Sequence, residues 1–129
     1  MKKFLEKVEF EERKVIAIDF DGVIHKNSKG FYNGKVYDEP ISGSLSAIKF
    51  LSKNYDIVIF TCKALKDRPL VEGKTGKELI VEWLKKHKIN QYIQDVTYEK
   101  PRACLYIDDK AHRFHNWQET LCFIDEENK

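Results

Sequence analysis

Residues 15–24 read VIAIDFDGVI, and this stretch decides how the rest of the chain is interpreted. Four apolar residues, rich in β-branched types, run directly into Asp19 and Asp21, and Gly22 then releases the chain into a loop. An ionised carboxylate is strongly disfavoured in a core unless it is paired. The strand is therefore expected to deliver both carboxylates to a surface where a cation or a polar ligand meets them.

Two later apolar runs repeat this design. Residues 57–60 (IVIF) end in Thr61, and residues 104–107 (CLYI) end in Asp108 and Asp109. Apolar runs without alternation are typical of strands that are covered on both faces in a parallel sheet. Since ligands of open parallel sheets bind at the carboxyl ends of the strands, these polar residues are expected at one edge.

The order of the predicted elements favours one α/β domain spanning residues 1–129. Strands are predicted near residues 15–19, 56–61, 93–98, 105–108 and 121–124, which gives a mostly parallel, Rossmann-like sheet of about five strands. Helices are predicted from Ser42 or Ser44 to Asn54 and over 77–88, with a helical turn over 112–118. Residues 1–14 are interpreted as an N-terminal extension, helix or edge strand. Residues 25–40 are interpreted as a flap with a hairpin turn at Asn33-Gly34.

The composition is that of a folded globular protein, with 42% hydrophobic and 34% charged residues in 129. A formal net charge of +2 does not by itself predict a nucleic-acid or membrane partner, nor exclude one. No apolar stretch is long enough to span a membrane, and residues 1–14 lack the apolar segment of a signal peptide. We therefore expect a cytoplasmic protein whose three cysteines are reduced and buried, without metal-site spacing: Cys62, Cys104 and Cys122.

The polar residues at the predicted strand ends point to phosphate chemistry with a divalent cation. Asp19 and the pair Asp108-Asp109 would repel one another unless a hard cation neutralised them, and Mg²⁺ is the natural candidate for oxygen ligands. The hydroxyl of Thr61 and the ammonium group of Lys100, facing the same point, would hold phosphate oxygens.

This arrangement resembles the haloacid dehalogenase superfamily, whose members carry four motifs in this order. They are D-x-D-G-x (residues 19–23), a Thr or Ser closing the second strand (Thr61), a Lys before the last motif strand (Lys100) and an acidic pair (Asp108-Asp109). The likeness extends from about residue 15 to residue 124. It implies a three-layer Rossmann-like fold with helices on both faces. Members of the superfamily often carry a cap domain after the first strand or before the third motif. Neither residues 25–40 nor residues 62–100 leave room for one, so the chain resembles a capless member.

The resemblance also implies a role for the residues of the four motifs, whereas Lys63, Gly22 and His25 are added as substrate contacts because they lie within or beside these motifs. Asp19 would be the nucleophile that forms an aspartyl-phosphate, and Asp21 the general acid and base. The superfamily's dehalogenases lack this second Asp, so phosphoryl transfer is the better prediction. The implied Mg²⁺ ligands are Asp19, the main chain of Asp21, Asp108 and Asp109. The predicted substrate contacts are Thr61, Lys100, Lys63, Gly22 and His25.

Some assignments stay open from the sequence. Lys63 or Lys110 could take the place of Lys100, whereas His112 and His115 are expected to pack or to face solvent. Loop 62–77 has more basic than acidic residues and is a candidate for binding further substrate phosphates. Phe31 and Tyr32 on the flap are candidates for stacking on a base or sugar, or for core packing.

Three functions compete at this point. The first is a Mg²⁺-dependent phosphatase acting on phosphate monoesters of a small molecule or a polymer. Its open site would suit a bulky or polymeric phosphorylated substrate or would be closed by a second copy of the chain. The second is a nucleotide or polynucleotide 3′- or 5′-phosphatase. The third is a non-catalytic phospho-acceptor or phosphate-binding module. A calcium loop is excluded because the fifth and twelfth positions, Val23 and Gly30, offer no side-chain oxygen.

Overall fold

Four parallel strands form the sheet in this computed structural model, which describes residues 13–30, 32–108 and 115–127. The spatial order of the strands is β3-β2-β1-β4. Their bounds are β1 Val15–Asp19, β2 Asp56–Phe60, β3 Ile93–Thr97 and β4 Leu105–Ile107. The parallel sheet and the predicted bounds of the first four strands are thereby confirmed to within a residue.

The first strand lies between β2 and β4, and Ile18 pairs with Ile59 on one side and with Ile107 on the other. All three isoleucines are fully buried. The chain moves from β1 through β2 to β3 in one direction and returns to place β4 on the other side of β1. The boundary between β1 and β4 is therefore the point where the strand order reverses, which is where ligands of such sheets bind.

Three helices flank the sheet within the described residues: α1 Ser44–Leu51, α2 Gly76–Lys86 and α3 Trp117–Glu127. Their buried residues, among them Ile48, Trp83 and Ile124, belong to one core cluster with Ile16 and Ile18 of β1. The cluster therefore lies on the sheet face to which the even-numbered residues of β1 point.

The opposite sheet face carries Ala17, Val58, Phe60 and Tyr106. The buried side chains of the described helices do not pack against this face. Helices on both faces are thus not found in the part of the chain that the structure describes. The physical reason is the connection between β3 and β4: residues 98–104 are too few to form a crossover helix, and they run as an irregular segment.

The predicted closing strand over 121–124 is wrong, because these residues lie inside α3. Trp117, Thr120 and Ile124 are buried, and their spacing of three and four residues is that of one helix face. A run of four apolar residues fits a strand and a buried helix turn equally well, so periodicity alone misleads here. The described sheet has four strands rather than five.

Two local predictions about turns also fail. The flap has no hairpin at Asn33-Gly34 but a 3₁₀ turn over Tyr32–Gly34, in which Asn33 adopts a positive φ of 58°. Helix α1 is preceded by Gly43 with a φ of 86° and has no side-chain cap from either predicted serine. A Cβ atom at Gly43 would lie 3.2 Å from Cβ of Trp117, so glycine is needed where α1 and α3 meet.

The structure also tests the predictions made for the cysteines. All three cysteines are free but exposed, so their predicted burial is wrong. Cys62 lies between the buried residues Thr61 and Lys63, Cys104 directly precedes β4, and Cys122 lies on an exposed position of α3. Most of the predicted N-terminal extension (residues 1–12) lies outside the described residues. Among the helices that the structure describes, none combines the length and apolar character that a membrane span requires.

Gly76, the first residue of α2, packs directly on the main chain of the turn that follows β2. A Cβ atom there would lie only 1.7 Å from the carbonyl oxygen of Lys63. We predict that Gly76→Ala lowers the free energy of unfolding by about 1–3 kcal/mol, as overpacking of a close contact does. Chemical denaturation measures this. Lys85→Ala, on an exposed position of α2, is the control and should change stability by less than about 0.5 kcal/mol.

Candidate active site

Two carboxylates lie at the carboxyl ends of adjacent strands. Asp19 is the last residue of β1, and its Oδ1 accepts a hydrogen bond of 2.8 Å from the N–H of Phe20. Asp108 follows β4 directly and is only 5% exposed. Since Ile18 pairs with Ile107, continuing the register by one residue sets Asp108 beside Asp19. The structure therefore brings these two predicted site residues together where the strand order reverses.

Thr61 follows the neighbouring strand β2 and is 6% exposed. Its main-chain N–H donates to the carbonyl of Thr97 at 2.9 Å, which continues the pairing with β3. Its hydroxyl oxygen accepts a hydrogen bond of 3.2 Å from the N–H of Lys63. This bond caps the 3₁₀ turn Cys62–Ala64 and reverses the chain, so that Lys63 is directed back towards the first motif.

Lys63 forms an ion pair with Asp21. Its Nζ lies 2.6 Å from Oδ2 of Asp21, and the side chain of Lys63 is only 4% exposed. The sequence analysis predicts Lys63 only as an alternative to Lys100 and as a substrate contact. The residues around Lys63 in the sequence do not predict that its side chain is buried. Its position two residues after a strand-end threonine is the one signal that places it near the first motif.

His25 holds the second oxygen of Asp21. Nδ1 of His25 lies 2.9 Å from Oδ1 of Asp21, and Nε2 accepts a hydrogen bond of 2.9 Å from the N–H of Asp38. Because Nε2 is an acceptor, Nδ1 carries the ring proton and donates a hydrogen bond to Asp21. The imidazole is fully buried and stacked on Phe20, so it orients Asp21 rather than contacting a substrate as predicted.

These partners change the acidity of Asp21. Burial by itself raises the pKa, but the hydrogen bonds from His25 and Lys63 and the charge of Lys63 outweigh it, so the pKa lies below the ordinary value of 3.8. Asp21 is therefore ionised at neutral pH in the resting protein. An ionised, doubly held carboxylate is ready to act as a base, and it needs a change in its surroundings before it can act as an acid.

Lys100 is exposed and lies over two aromatic rings instead of contacting the carboxylates. Its Nζ is 4.4 Å from the ring centre of Tyr106 and 6.0 Å from that of Phe60. Phe60 is the register partner of Asp19, and Tyr106 lies two residues before Asp108 on β4. Lys100 thus lies on the same sheet face as both carboxylates.

Of the remaining predicted residues, the structure describes some, and others lie outside its described part. The main-chain N–H of Gly22, where φ is +83°, already donates to the carbonyl of His25 at 2.8 Å. His115 is exposed, as expected, with Nδ1 3.2 Å from Oε1 of Glu119. The predicted residues that lie outside the described part of the chain are Asp109, Lys110, His112 and Phe31.

The donor chemistry of the site suits a hard cation. Within residues 13–30, 32–108 and 115–127, no three His, Cys, Asp or Glu side chains converge as a ready-made metal cage. The carboxylates of Asp19 and Asp108, at adjacent strand ends, are nonetheless oxygen donors of the kind that Mg²⁺ takes, usually with water and substrate oxygens completing its shell. These two residues fit Mg²⁺ and would hold it.

We predict that Lys63→Met raises the pKa of Asp21 towards its ordinary value, because a hydrogen bond and a positive charge that favour the carboxylate are lost. Carbon-detected NMR titration of the carboxyl groups measures this. Asp38 is the internal control: hydrogen bonds from Ser28 and from the N–H of Glu39 lower its pKa to about 2, and this value should not change in the variant.

The same pKa shift predicts how stability depends on pH. Because the pKa of Asp21 is lower in the folded than in the unfolded protein, its contribution is fully present above the unfolded value of about 3.9 and is lost as the pH falls through the folded value. Asp21→Asn should therefore flatten the acid limb of the stability curve below about pH 4. Unfolding by urea at several pH values measures this, and an unchanged acid limb would contradict the assignment.

Comparison of the chain with protein-family models, with curated proteins and with solved structures gave no match.

Proposed function

We propose that the protein is a Mg²⁺-dependent phosphatase that hydrolyses phosphate monoesters through an intermediate on Asp19. The observation that supports this most strongly is the adjacency of Asp19 and Asp108 at the strand-order reversal, with Thr61 at the end of the next strand and Asp21 held by a buried lysine. Mg²⁺, when bound, would offset the charge of the carboxylates and polarise the phosphoryl oxygens.

In the first step, a carboxylate oxygen of Asp19 attacks phosphorus, and the bond from phosphorus to the ester oxygen breaks. The N–H of Phe20 on Oδ1 fixes the rotation of the Asp19 carboxylate. The hydroxyl group of Thr61 and the ammonium group of Lys100 would bind phosphoryl oxygens. In the second step, water attacks phosphorus while Asp21 removes a proton from that water, and the bond from phosphorus to the Asp19 oxygen breaks, which releases phosphate and restores the carboxylate.

Asp21 must be protonated before it can donate to the leaving oxygen, although its resting pKa is lowered. An arriving phosphate supplies the change in surroundings. Its negative charge disfavours the ionised form of Asp21, and it competes for the Nζ of Lys63, which lies 2.6 Å from Asp21. Both effects raise the pKa of Asp21 when substrate binds, so the ion pair couples substrate binding to the acid role.

We predict that hydrolysis of 4-nitrophenyl phosphate requires Mg²⁺ and Asp19. Chelation should abolish it, and Asp19→Asn should lower kcat by a factor on the order of 10³ or more, as loss of a covalent nucleophile does elsewhere. Asp21→Asn should lower kcat by roughly 10²–10⁴, the range for a general acid and base. Asp95→Asn, an exposed carboxylate on β3, is the control. Phosphorylation of Asp19 without turnover would instead support the phospho-acceptor function.

We predict that Lys63 and Lys100 both contribute. Lys63→Met and Lys100→Ala should each lower kcat/KM by roughly 10- to 100-fold, which is the effect of losing one hydrogen bond to a charged group. Lys85→Ala is the control for surface charge. Because Lys63 acts through Asp21, its variant should also shift the acid limb of the pH–rate profile, whereas Lys100→Ala should not. A wild-type rate in Lys63→Met would contradict its place in the site.

A further inference from the structure

A cavity of about 350 Å³ opens beside Lys63, between the flap and the loop before α2. Its size lies within the range of roughly 300–1,000 Å³ that is usual for small-molecule sites. One wall consists of four consecutive residues of the loop, Arg68, Pro69, Leu70 and Val71, and the facing wall of Asn33 and Gly34. Three of these four loop residues are apolar, which is unusual in a segment that is otherwise rich in charged residues.

The cavity adjoins the candidate active site at Lys63. This residue lines the cavity, and its Nζ holds Asp21 at 2.6 Å. The close packing of Gly76 on the carbonyl of Lys63 fixes the boundary between them. Because Asp21 would protonate the leaving oxygen, a cavity adjoining its partner is where the alcohol part of a substrate would extend.

The loop wall is built in advance of any ligand. Val71 and Lys74 exchange two main-chain hydrogen bonds of 2.9 and 3.0 Å around Glu72 and Gly73, whose φ values of 53° and 80° make a tight turn. Nζ of Lys74 lies 2.7 Å from a carboxylate oxygen of Glu82 on α2, which ties the turn to the helix. A preformed wall loses little conformational entropy when a ligand binds.

The flap wall is also held in place. The Asn33 backbone has a φ of 58°, and the N–H of Lys35 donates to the carbonyl of Tyr32 at 3.2 Å. Tyr37 supports the ring of Tyr32 edge-on at 5.1 Å between centres. Tyr32, which precedes Asn33 in the chain, is 44% exposed.

We propose that this cavity binds the alcohol part of the substrate and selects monoesters in which an apolar or aromatic ring lies close to the phosphate. The inference rests on the proposed function, since it takes the phosphate to lie at Asp19. Leu70 is 60% exposed, and covering it with a ring would remove apolar surface from water. A wholly polar sugar would instead set part of its hydroxyl groups against the apolar side chains of Pro69, Leu70 and Val71, which offer no hydrogen bonds, so the ring is favoured although Arg68 and Asn33 also line the cavity.

The test uses three phosphonates that cannot be hydrolysed, titrated calorimetrically into the full chain with Mg²⁺. They are methylphosphonate, 2,3-dihydroxypropylphosphonate and 1-naphthylmethylphosphonate. We expect the naphthyl compound to bind at least about tenfold more tightly than the other two, the effect of burying an aromatic ring. Leu70→Asn should remove this preference and leave the affinity for methylphosphonate unchanged.

Phe50→Asn is the matched control, because Phe50 is a similarly exposed apolar residue at 56% but lies on α1. This variant should keep the preference. Equal binding of all three phosphonates, binding of none, or a preference that survives in Leu70→Asn would each overturn the inference. If hydrolysis of 4-nitrophenyl phosphate still depends on Asp19 in those cases, the proposed function stands. A Leu70-dependent preference without Asp19-dependent hydrolysis would overturn the function and keep the ring site.

Discussion

The ion pair between Lys63, which is 4% exposed, and Asp21, which is 25% exposed, is the interaction on which the candidate site depends. Taking the ammonium group of Lys63 out of water is costly, and several other groups fix the geometry of its pair with Asp21. Thr61 caps the turn that carries Lys63, Gly76 lets α2 pack against that turn, and His25 holds the second oxygen of Asp21. Removing Asp21 would leave the buried ammonium group of Lys63 without this partner, which is strongly destabilising.

The flap is connected to the same pair through hydrogen bonds. Nε2 of His25 accepts from the N–H of Asp38, and Nε1 of Trp83 on α2 donates to the carbonyl of Asp38 at 2.8 Å. The ring of Trp83 also packs edge-on against that of His25, with centres 5.6 Å apart. Helix α2 thus contacts the flap at Asp38, the ring of His25 and, through Gly76, the Cys62–Ala64 turn. The residues around Asp21 are therefore all packed against this one helix or bonded to residues that are.

The sheet has two unequal faces, and this asymmetry bears on the chemistry. The face with Ile16 and Ile18 is covered by the described helices, whereas the face with Phe60 and Tyr106 lies under the irregular segment that contains Lys100. Asp19 and Asp108 belong to the second face. A lysine held over aromatic rings rather than by a carboxylate keeps its side chain available for a phosphate, because a cation–π contact at an exposed site is worth only about 0.5–1 kcal/mol.

The sequence by itself determined the parallel strands and the residues at their ends, because buried strands need unbroken apolar runs and their carboxylates must leave the core. It did not determine helix α3, since four apolar residues such as 121–124 fit either periodicity. It also did not determine the Lys63–Asp21–His25 cluster or the cavity beside it. His25 lies only four residues after Asp21, but Lys63 lies 42 residues after it, and only the packing of the Cys62–Ala64 turn against α2 brings Lys63 within hydrogen-bond distance of Asp21. Burial of a lysine is a property of its neighbours in space, so tertiary structure alone decided it.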